Sequence, residues 1–372
     1  MSTGKIGAVV VGTGFGLFTH TRALTEAGFE VKAIIGRDLK KTQVRAAPLG
    51  LKGADSLPDV LKDESIKLVT VATPPHTHYK PVMEAIAAGR NVMCEKPFAK
   101  DLAQAREMLR AAEKAGVHHM LGAEFRFETA QAHLRRVVKE GLIGKPLHFL
   151  RIYHQPGLQD PNEALAAWWE DENQGGGFLG AFGSHMFDQA RSMFGEFKAV
   201  SAVLQTLAPG RPTMTADDCY SLQFVAESGT KGMIMATNAS PGPLVMATKV
   251  TGSAGGAWIQ SGPTYGDPEE VWVENKDGPR KMETPKDLIN PAPTPFPVKE
   301  LIQTEMDRWH TMGFDVPPYT RLFAEMKARI EGKEPAIPER AGTFFDAAAG
   351  QAILDAARKS SKEMRWVEVE KV

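Results

Sequence analysis

The sequence predicts an α/β protein with a doubly wound parallel sheet, followed by an α+β region with a large open, mainly antiparallel sheet. The chain has 372 residues, which is enough for two domains at roughly 100–200 residues each. Strand and helix patterns alternate up to residue 125, as βαβ units require. Beyond that point strands follow one another, and several alternate apolar with polar residues, which is typical of an antiparallel sheet with one packed face.

In the first region, the continuous apolar run Ile6–Val11 is expected of a strand buried on both faces of a parallel sheet. Several of the helices that follow end at a glycine, which is a common helix stop. The further predicted strands are Val31–Ile35, Leu68–Ala72, Asn91–Cys94 and Val117–Gly122, and the predicted helices are Phe18–Glu26, Lys40–Leu49, Leu57–Lys62, Lys80–Ala88 and Leu102–Ala115. Right-handed crossovers between such strands build a parallel sheet.

The second region begins with a predicted helix, Ala130–Glu140, and continues mostly as strands. Those strands are Pro146–His154, Ala199–Thr206, Cys219–Ala226, Gly232–Asn238, Val245–Gly252 and Ala257–Gln260. Residues 262–298 are rich in proline and are predicted to form a long loop, which is usually functional or mobile. A helix over residues 344–360 is expected to pack back near the first domain. We therefore predict one domain over residues 1–125 and a second over 126–372.

Composition and charge exclude several classes of protein. The 44 basic and 45 acidic residues give a net charge of -1, which argues against general nucleic-acid binding. No run reaches the roughly 18 apolar residues of a membrane span, and the first residues lack the pattern of a signal peptide. We expect a cytoplasmic protein with no membrane partner, two reduced cysteines (Cys94 and Cys219) and no metal site.

A glycine-rich turn, Gly12–Gly16, follows the first strand and precedes a predicted helix. Gly12 permits a tight turn, Gly14 lets the backbone approach a pyrophosphate, and the helix start offers amide donors. The spacing departs from a strict G-x-G-x-x-G, because Leu17 takes the last position and Gly16 comes one residue early. We predict that this turn, with Phe15, binds a dinucleotide. An ordinary tight turn is the alternative.

The end of the second strand bears on which dinucleotide fits. NAD-selective sites place an Asp or Glu there to bind the ribose 2′-OH, but this chain has Gly36, Arg37 and Asp38. Without a carboxylate at Gly36, a 2′-phosphate meets no repulsion, and Arg37 could pair with it or stack on adenine, with Lys40 and Lys41 nearby. We predict NADP as the preferred cofactor over NAD. The alternative is a surface arginine neutralised by Asp38.

Three further motifs extend this pattern along the chain. They are Ala72–His78 (ATPPHTH), Glu95-Lys96-Pro97, and Gly175–Gly177 followed by Gly183–Asp188 (GSHMFD). Together with the glycine turn they resemble the Gfo/Idh/MocA oxidoreductase family, which includes glucose–fructose oxidoreductase and inositol dehydrogenase. The resemblance implies an N-terminal Rossmann domain, a C-terminal α+β domain and an active site between them. It also implies a homodimer or homotetramer formed through the C-terminal sheet.

The resemblance assigns Lys96 to catalysis. Pro97 disfavours helical geometry at Lys96, so we expect the side chain in an extended turn at the carboxyl ends of the strands, where such sheets bind ligands. There it could orient a hydroxyl and share its proton during hydride transfer. The Lys-Pro bond tends to be cis in the family. The alternative is an ordinary surface lysine before a turn proline.

The resemblance also implies further contacts to the cofactor. Thr73, Pro74 and His78 match the loop that covers it, and Arg126 matches a position near the nicotinamide. Glu95 would support Lys96 or bond the nicotinamide ribose. For His78 the alternative is a surface histidine, and for Arg126 it is an interdomain ion pair.

One position departs from the family. Members commonly have an Asp four residues before the catalytic histidine, but here Ala181 precedes His185. Alanine cannot accept a proton, so three interpretations stay open: Lys96 and His185 suffice, another carboxylate such as Glu124 or Asp188 substitutes, or the chain has left the usual redox chemistry. Asp188 would share a helix face with His185, which also allows a core histidine satisfied by that carboxylate.

The substrate side is less specific. We predict contacts to a small polar substrate from Tyr153, His154, Trp168, Trp169 and Asp188, because the tryptophans could stack on a sugar ring. The leading hypothesis is an NAD(P)-dependent oxidoreductase acting on a carbinol carbon of a sugar, polyol or related cyclic alcohol. One alternative is a glycoside-cleaving or epimerising enzyme with tightly bound NAD. The other is a non-catalytic, cofactor-sensing regulatory protein.

Overall fold

A computed structural model describes residues 5–161, 165–264, 266–296, 298–302 and 305–372. The chain divides into two compact units, one formed by residues 1–127 with 290–348 and the other by 128–289 with 349–372. Residues 290–348, which the sequence analysis grouped with the second domain, thus belong to the first unit.

The first unit is built on a parallel sheet of six strands in the order 3-2-1-4-5-6, the order of a doubly wound dinucleotide-binding fold. The strands are β1 (Gly7–Val11), β2 (Glu30–Ile35), β3 (Lys52–Ala54), β4 (Ile66–Val71), β5 (Asn91–Glu95) and β6 (His119–Gly122). Every residue of β1 is buried, which agrees with the continuous apolar run in its sequence. The predicted doubly wound sheet is confirmed.

Helices cover both faces of this sheet. They are α1 (Thr21–Glu26), α2 (Leu39–Ala46), α3 (Leu57–Val60), α4 (Tyr79–Ala87), α5 (Leu102–Ala115) and, from the later part of the chain, α9 (Glu305–Thr311) and α10 (Val316–Ile330). Alternate residues of β1 enter two separate cores. Val9 and Val11 pack with residues of α4 and α5, whereas Ala8 and Val10 pack with residues of α1 and α10.

The second unit is built on a mixed sheet of nine strands in the order β14-β13-β12-β11-β7-β10-β9-β8-β15. Its strands are β7 (Pro146–His154), β8 (Phe197–Gln205), β9 (Cys219–Ala226), β10 (Lys231–Thr237), β11 (Val245–Gly252), β12 (Gly255–Gln260), β13 (Glu270–Asn275), β14 (Gly278–Lys281) and β15 (Val367–Glu368). Among the strands that the structure describes in this sheet, only β7 and β10 pair in parallel, so the predicted open, mainly antiparallel sheet is confirmed.

Helices lie on one face of the second sheet, where α6 (Thr129–Lys139) contacts β12 and α8 (Ser184–Phe194) contacts β7. The short helix α7 (Ala167–Glu170) precedes α8, and α11 (Phe344–Glu363) ends the helical part of the chain. Phe344, at the start of α11, belongs to the first unit, where it stacks on His119 and packs on Phe98.

The prediction of a loop over residues 262–298 is wrong in part, because β13 and β14 lie inside this segment. Val271 and Val273 are buried on one face of β13, and this alternation within a proline-rich stretch was overlooked. Among the described residues, no helix is long and apolar enough to cross a membrane.

Candidate active site

The glycine-rich turn has the geometry of a dinucleotide cradle. Gly12 has a φ of 130°, and a Cβ there would lie 2.3 Å from the Ala72 carbonyl oxygen. A Cβ on Gly14 would meet no atom within 4 Å, so the backbone at this point borders open space. Gly12 therefore makes the turn possible, and Gly14 leaves room for a pyrophosphate. The open space beside Gly14 therefore agrees with the prediction that this turn binds a dinucleotide.

Gly16 takes the packing role of the missing third glycine. A Cβ on it would lie 2.8 Å from Val10 Cγ1 and 3.1 Å from Ala72 Cβ, so only a glycine lets the helix start approach the strand this closely. The turn Gly16–His20 is π-helical, and Thr21 N donates to the Gly16 carbonyl. The close packing that a third glycine permits is therefore kept with Gly16 one position early.

The predicted specificity residues lie just after β2. A Cβ on Gly36 would come within 2.3 Å of Thr42 Oγ1, so this position has no room for a larger side chain. Asp38 caps α2 by accepting a hydrogen bond from Lys41 N at 2.9 Å. Arg37 is exposed and, within the described part of the chain, has no carboxylate at ion-pair distance. An exposed arginine agrees with both interpretations of Arg37, so its contact to a 2′-phosphate stays a prediction.

The loop after β4 is held by a buried histidine, His78. Thr73 and Pro74 are half-buried, whereas His78 is fully buried, with Nε2 2.6 Å from the Thr73 carbonyl and Nδ1 3.1 Å from the Phe98 carbonyl. Burial lowers the pKa of His78. The alternative of a surface histidine is wrong, because this side chain joins the loop to the segment that follows Pro97. Its contact to the cofactor stays a prediction.

Glu95 and Lys96 come at the end of β5, and the Lys96–Pro97 bond is cis, as in the family. Glu95 is 5% exposed. Its Oε1 accepts hydrogen bonds from His20 Nε2 at 3.0 Å and from the Tyr319 hydroxyl, and its Oε2 accepts one from Lys96 N at 3.3 Å. Glu95 thus contacts the Lys96 backbone, and both roles expected of Glu95 stay predictions. Lys96 itself is half-buried, so the alternative of an ordinary surface lysine is not favoured.

Glu124 lies in the short 3-10 helix Glu124–Phe127 that follows β6, and it is almost fully buried. Burial raises its pKa well above the ordinary value, and the positive charge of Lys96 opposes that rise. A carboxyl group that keeps its proton near neutral pH can donate a hydrogen bond or supply a proton. Glu124 is thus the alternative carboxylate that the structure brings into the electrostatic neighbourhood of Lys96.

Arg126 follows in the same short helix. Its Nη2 lies 2.9 Å from Asp346 Oδ1, and its Nη1 donates to the Arg340 carbonyl at 3.3 Å. All three residues belong to the first unit, so the ion pair considered as an alternative exists, although within one unit. The predicted contact of Arg126 to the nicotinamide stays a prediction.

In the second unit, His185 and Asp188 are both buried on α8, three residues apart. Ala181 lies in the π-helical turn Leu179–Gly183 that leads into this helix. Close packing requires glycine at Gly176 and Gly177, just before this turn. A Cβ on Gly176 would lie 2.1 Å from the Trp168 carbonyl, and one on Gly177 would lie 2.3 Å from Asp217 Oδ1.

Asp217 anchors the start of that turn. Its carbonyl accepts from Phe178 N at 2.7 Å, and its Oδ2 accepts from Leu179 N at 2.7 Å. Burial raises its pKa to about 7, and Arg358 partly offsets the rise. Asp217 thus positions the segment that carries Ala181 and His185.

Aromatic side chains form a row beside this segment. Tyr153 packs on Phe182 with ring centroids 4.4 Å apart, and Phe182 stacks on Phe178 at 5.0 Å. Trp169 continues the row toward Trp168, at 6.4 Å from Phe178 and 5.5 Å from Trp168. The structure thus brings together three of the predicted substrate residues, the two tryptophans and Tyr153.

The polar end of this row is supplied by β7. The Tyr153 hydroxyl donates to Gln155 Oε1 at 2.8 Å, and burial raises the pKa of Tyr153 to about 12. His154 is half-buried at the last position of the strand, and its Nε2 has no hydrogen-bond partner among the described residues.

Sequence reasoning missed His20, Tyr319 and Asp217. His20 lies inside the predicted first helix and is buried together with Glu95. Tyr319 comes from α10, in the part of the chain assigned to the other domain, and no local pattern connects it with Glu95. Only the glycines at 176 and 177 hinted at a close neighbour, without identifying Asp217. No cluster of three or more metal-ligating side chains occurs in the described ranges.

Comparison with known proteins agrees with the geometry. The family described as "Oxidoreductase family, NAD-binding Rossmann fold" matches residues 6–123, and the "GFO/IDH/MocA C-terminal domain" matches residues 131–258. These define an NAD-binding oxidoreductase fold in two parts. The chain belongs to the Gfo/Idh/MocA oxidoreductase family.

Individual relatives extend this result. A levoglucosan dehydrogenase of Pseudarthrobacter phenanthrenivorans is 36% identical over 153 residues, which are 41% of this chain and 39% of that protein. An uncharacterised oxidoreductase of Synechocystis is 28% identical over 97% of this chain and 95% of its own length. Among solved structures, a levoglucosan dehydrogenase in complex with NADH and levoglucosan superposes with a TM-score of 0.81 at 23% identity, covering 99% of this chain and 100% of that one, which supports the fold.

Proposed function

We propose that this protein is an NAD(P)-dependent oxidoreductase that transfers a hydride between the nicotinamide and a carbinol carbon of a sugar, polyol or related cyclic alcohol. The observation that carries the proposal is Lys96, half-buried beside a buried Glu95. Glu95 is joined through His20 to the helix that starts at the glycine turn. The relative named levoglucosan dehydrogenase supports the substrate class.

When bound, the nicotinamide ring supplies the hydride acceptor or donor. The glycine turn and the start of its helix would hold the pyrophosphate through backbone amides. Lys96 would orient the substrate hydroxyl and exchange a proton with it, and His185 would be the second residue to handle that proton, as the family resemblance implies. With Ala181 in place of a carboxylate, Glu124 is the group best placed to supply a proton toward Lys96, because burial keeps its pKa high.

NADP is proposed as the preferred cofactor. Gly36 leaves no room for the carboxylate that would bind a ribose 2′-OH. Arg37 is exposed and has no ion-pair partner in the described ranges, and Lys40 and Lys41 are exposed nearby. A guanidinium without a carboxylate partner is suited to bidentate pairing with a 2′-phosphate.

The experiment that tests the function is a screen of sugars, inositols and other polyols with NADP and NAD, in both directions, read by cofactor absorbance. Turnover of at least one cyclic alcohol is expected. The Lys96→Ala variant, purified identically, is the matched comparison, and it should show a large loss of turnover. Absence of turnover across the screen contradicts the proposal.

Two outcomes would point to the alternative functions. Cofactor retained through purification, with substrate converted but no net change in absorbance, favours glycoside cleavage or epimerisation. Cofactor binding without conversion of any compound favours a regulatory protein, an alternative that Ala181 motivates.

Homo-oligomer formation through the second sheet is part of the proposal. Residues on the face opposite to Phe149 and Tyr153 are apolar yet only half-buried in the single chain. They include Leu150, Ile152, Met233 and Met235, with Trp258 and Trp272 stacked 6.1 Å apart. Contiguous exposed apolar surface of this kind marks an interaction site. Light scattering after size exclusion should give a dimer or tetramer, and a monomer at micromolar concentration would contradict this.

A further inference from the structure

Glu95 has contacts that hydride transfer by itself does not require. One of its oxygens receives two side-chain donors, His20 and Tyr319, from elements far apart in the sequence. The other oxygen accepts the backbone N–H of Lys96. Because a buried carboxylate is stable only when donors satisfy it, these donors decide where the carboxylate lies, and the carboxylate in turn holds the Lys96 backbone.

We propose that His20 and Tyr319 are positioning residues that hold Glu95, and through it Lys96, in the orientation that the chemistry needs. The inference rests on the proposed function in assigning the reaction to Lys96. It goes further in giving α10, a helix from residues 290–348, a part in arranging the catalytic lysine.

The arrangement leaves Glu95 little freedom. A Cβ on Gly122 would lie 2.3 Å from its Oε1, so the neighbouring strand closes one side. His20 Nδ1 lies 3.2 Å from Thr70 Oγ1. With Nε2 turned to the carboxylate, Nδ1 is left to pair with the Thr70 hydroxyl. The orientation of His20 is therefore itself fixed by β4.

Aromatic packing also restricts His20 and Tyr319, the two side chains that donate to Glu95. The rings of His20 and Tyr319 are 5.1 Å apart, and Phe15 of the glycine turn lies edge-on to both, at 5.4 and 5.6 Å. Phe323, one turn further along α10, packs edge-on against His20 at 5.5 Å. The cofactor turn, the catalytic strand end and α10 thus share one packed cluster.

The charges around Glu95 make the donors important. Glu124 and Asp315 add carboxyl groups to the surroundings of Tyr319, and Lys96 adds a positive charge near Glu124. Burial, together with the carboxyl groups, raises the pKa of Tyr319 well above its usual value, so the hydroxyl keeps its proton and remains a donor. Removing that donor leaves Glu95 Oε1 with His20 alone, and the carboxylate is then free to turn toward Lys96.

The first experiment compares Tyr319→Phe with Tyr79→Phe. Tyr79 is a matched control because its hydroxyl also donates to a carboxylate, that of Glu107 on α5, at 2.8 Å. We expect Tyr319→Phe to lower kcat by about ten- to a hundredfold, as misplacement of a catalytic group does, while KM and the cofactor Kd change by less than threefold. Tyr79→Phe should match the wild type. A kcat for Tyr319→Phe equal to that of Tyr79→Phe overturns the proposal.

The second experiment uses His20. Glutamine at this position keeps an N–H donor for Glu95, whereas alanine removes it. We expect His20→Ala to lose kcat by about tenfold or more, and His20→Gln to recover most of it. Equal losses in the two variants would show that the imidazole only fills space, which contradicts a positioning role through hydrogen bonding.

A third measurement does not depend on turnover. Hydrogen exchange at the Lys96 amide should be about tenfold faster in Tyr319→Phe than in the wild type or Tyr79→Phe, because local opening becomes easier when Glu95 is held less firmly. If the substrate screen fails but this difference appears, the proposed function is wrong and the positioning of Lys96 stands. Unchanged exchange at Lys96 overturns the positioning of Lys96 itself.

Discussion

The surroundings of Lys96 in the first unit and those of His185 in the second satisfy their polar groups differently. Near Lys96, the buried Glu95 receives three donors, and His20 is bonded at both ring nitrogens. Near His185, the residue at the family's carboxylate position is Ala181 and the neighbouring row is aromatic. In the described residues, the buried hydroxyl of Tyr220 has no hydrogen-bond partner there.

This difference indicates how strongly each region constrains the residues that it contains. A polar network in a low-dielectric interior is stable only when every member is satisfied, so the first region has little tolerance for substitution. An aromatic row depends on area and shape, which allow more exchange. The departure at Ala181 falls in the tolerant region.

Replacing the two proposed catalytic residues tests the comparison directly. Lys96→Ala should lower kcat by about a thousandfold and His185→Ala by about a hundredfold, within the range of general acid–base effects. Cofactor Kd, measured by fluorescence titration, should stay within threefold in both. Equal losses would mean that the second region contributes as much to proton handling as the first, and near-normal turnover in Lys96→Ala would refute its role.

Two glycines of the cofactor turn separate stability from binding within the first unit. Gly12→Ala should cost about 3 kcal/mol of unfolding free energy, because its φ is 130° and the new Cβ would meet the Ala72 carbonyl at 2.3 Å. Gly14→Ala should leave stability unchanged and weaken cofactor binding by about tenfold. Urea unfolding and titration with NADP measure the two effects. A stability loss at Gly14 would show that the space there is not open.

In the second unit, Asp217 should make stability fall as pH rises. Its folded pKa is raised from 3.8 to about 7, so the native state binds a proton more tightly than the unfolded one. The contribution is therefore present below pH 4 and is lost as pH approaches 7, by as much as about 4 kcal/mol. Asp217→Asn should show a smaller decline between pH 5 and 8 in urea unfolding. Parallel curves for the two proteins would mean that Asp217 is ionised throughout.

The smallest effect concerns cofactor choice. Arg37→Ala should weaken NADP binding by about tenfold, the loss of one charge-assisted contact, and leave NAD binding unchanged. Arg110→Ala, another exposed arginine on α5, is the control. If NAD already binds the wild-type protein more tightly than NADP, the preference assigned to Arg37 is wrong.

Much of the first unit was predictable from sequence. The buried run of β1 and the glycine turn are local signals, and the parallel sheet follows from their alternation with helices. The strands β13 and β14 were missed because proline-rich flanks hid a short alternation. The placement of residues 290–348 in the first unit was not predicted. The sequence of a helix such as α10 indicates that one face is apolar, but it does not indicate which sheet that face covers.

The sequence by itself determined the alternation of strands and helices along the first unit, the cofactor turn and the position of Lys96 after β5. Each of these depends on residues close together in the chain. Only the tertiary structure decided that Tyr319 reaches Glu95 across 224 positions, that Gly16 takes the packing role of the third glycine, and that Asp217 anchors the segment before His185. The physical reason is that periodicity and turn chemistry report local backbone preferences, whereas the partners of a buried polar group depend on how distant elements pack.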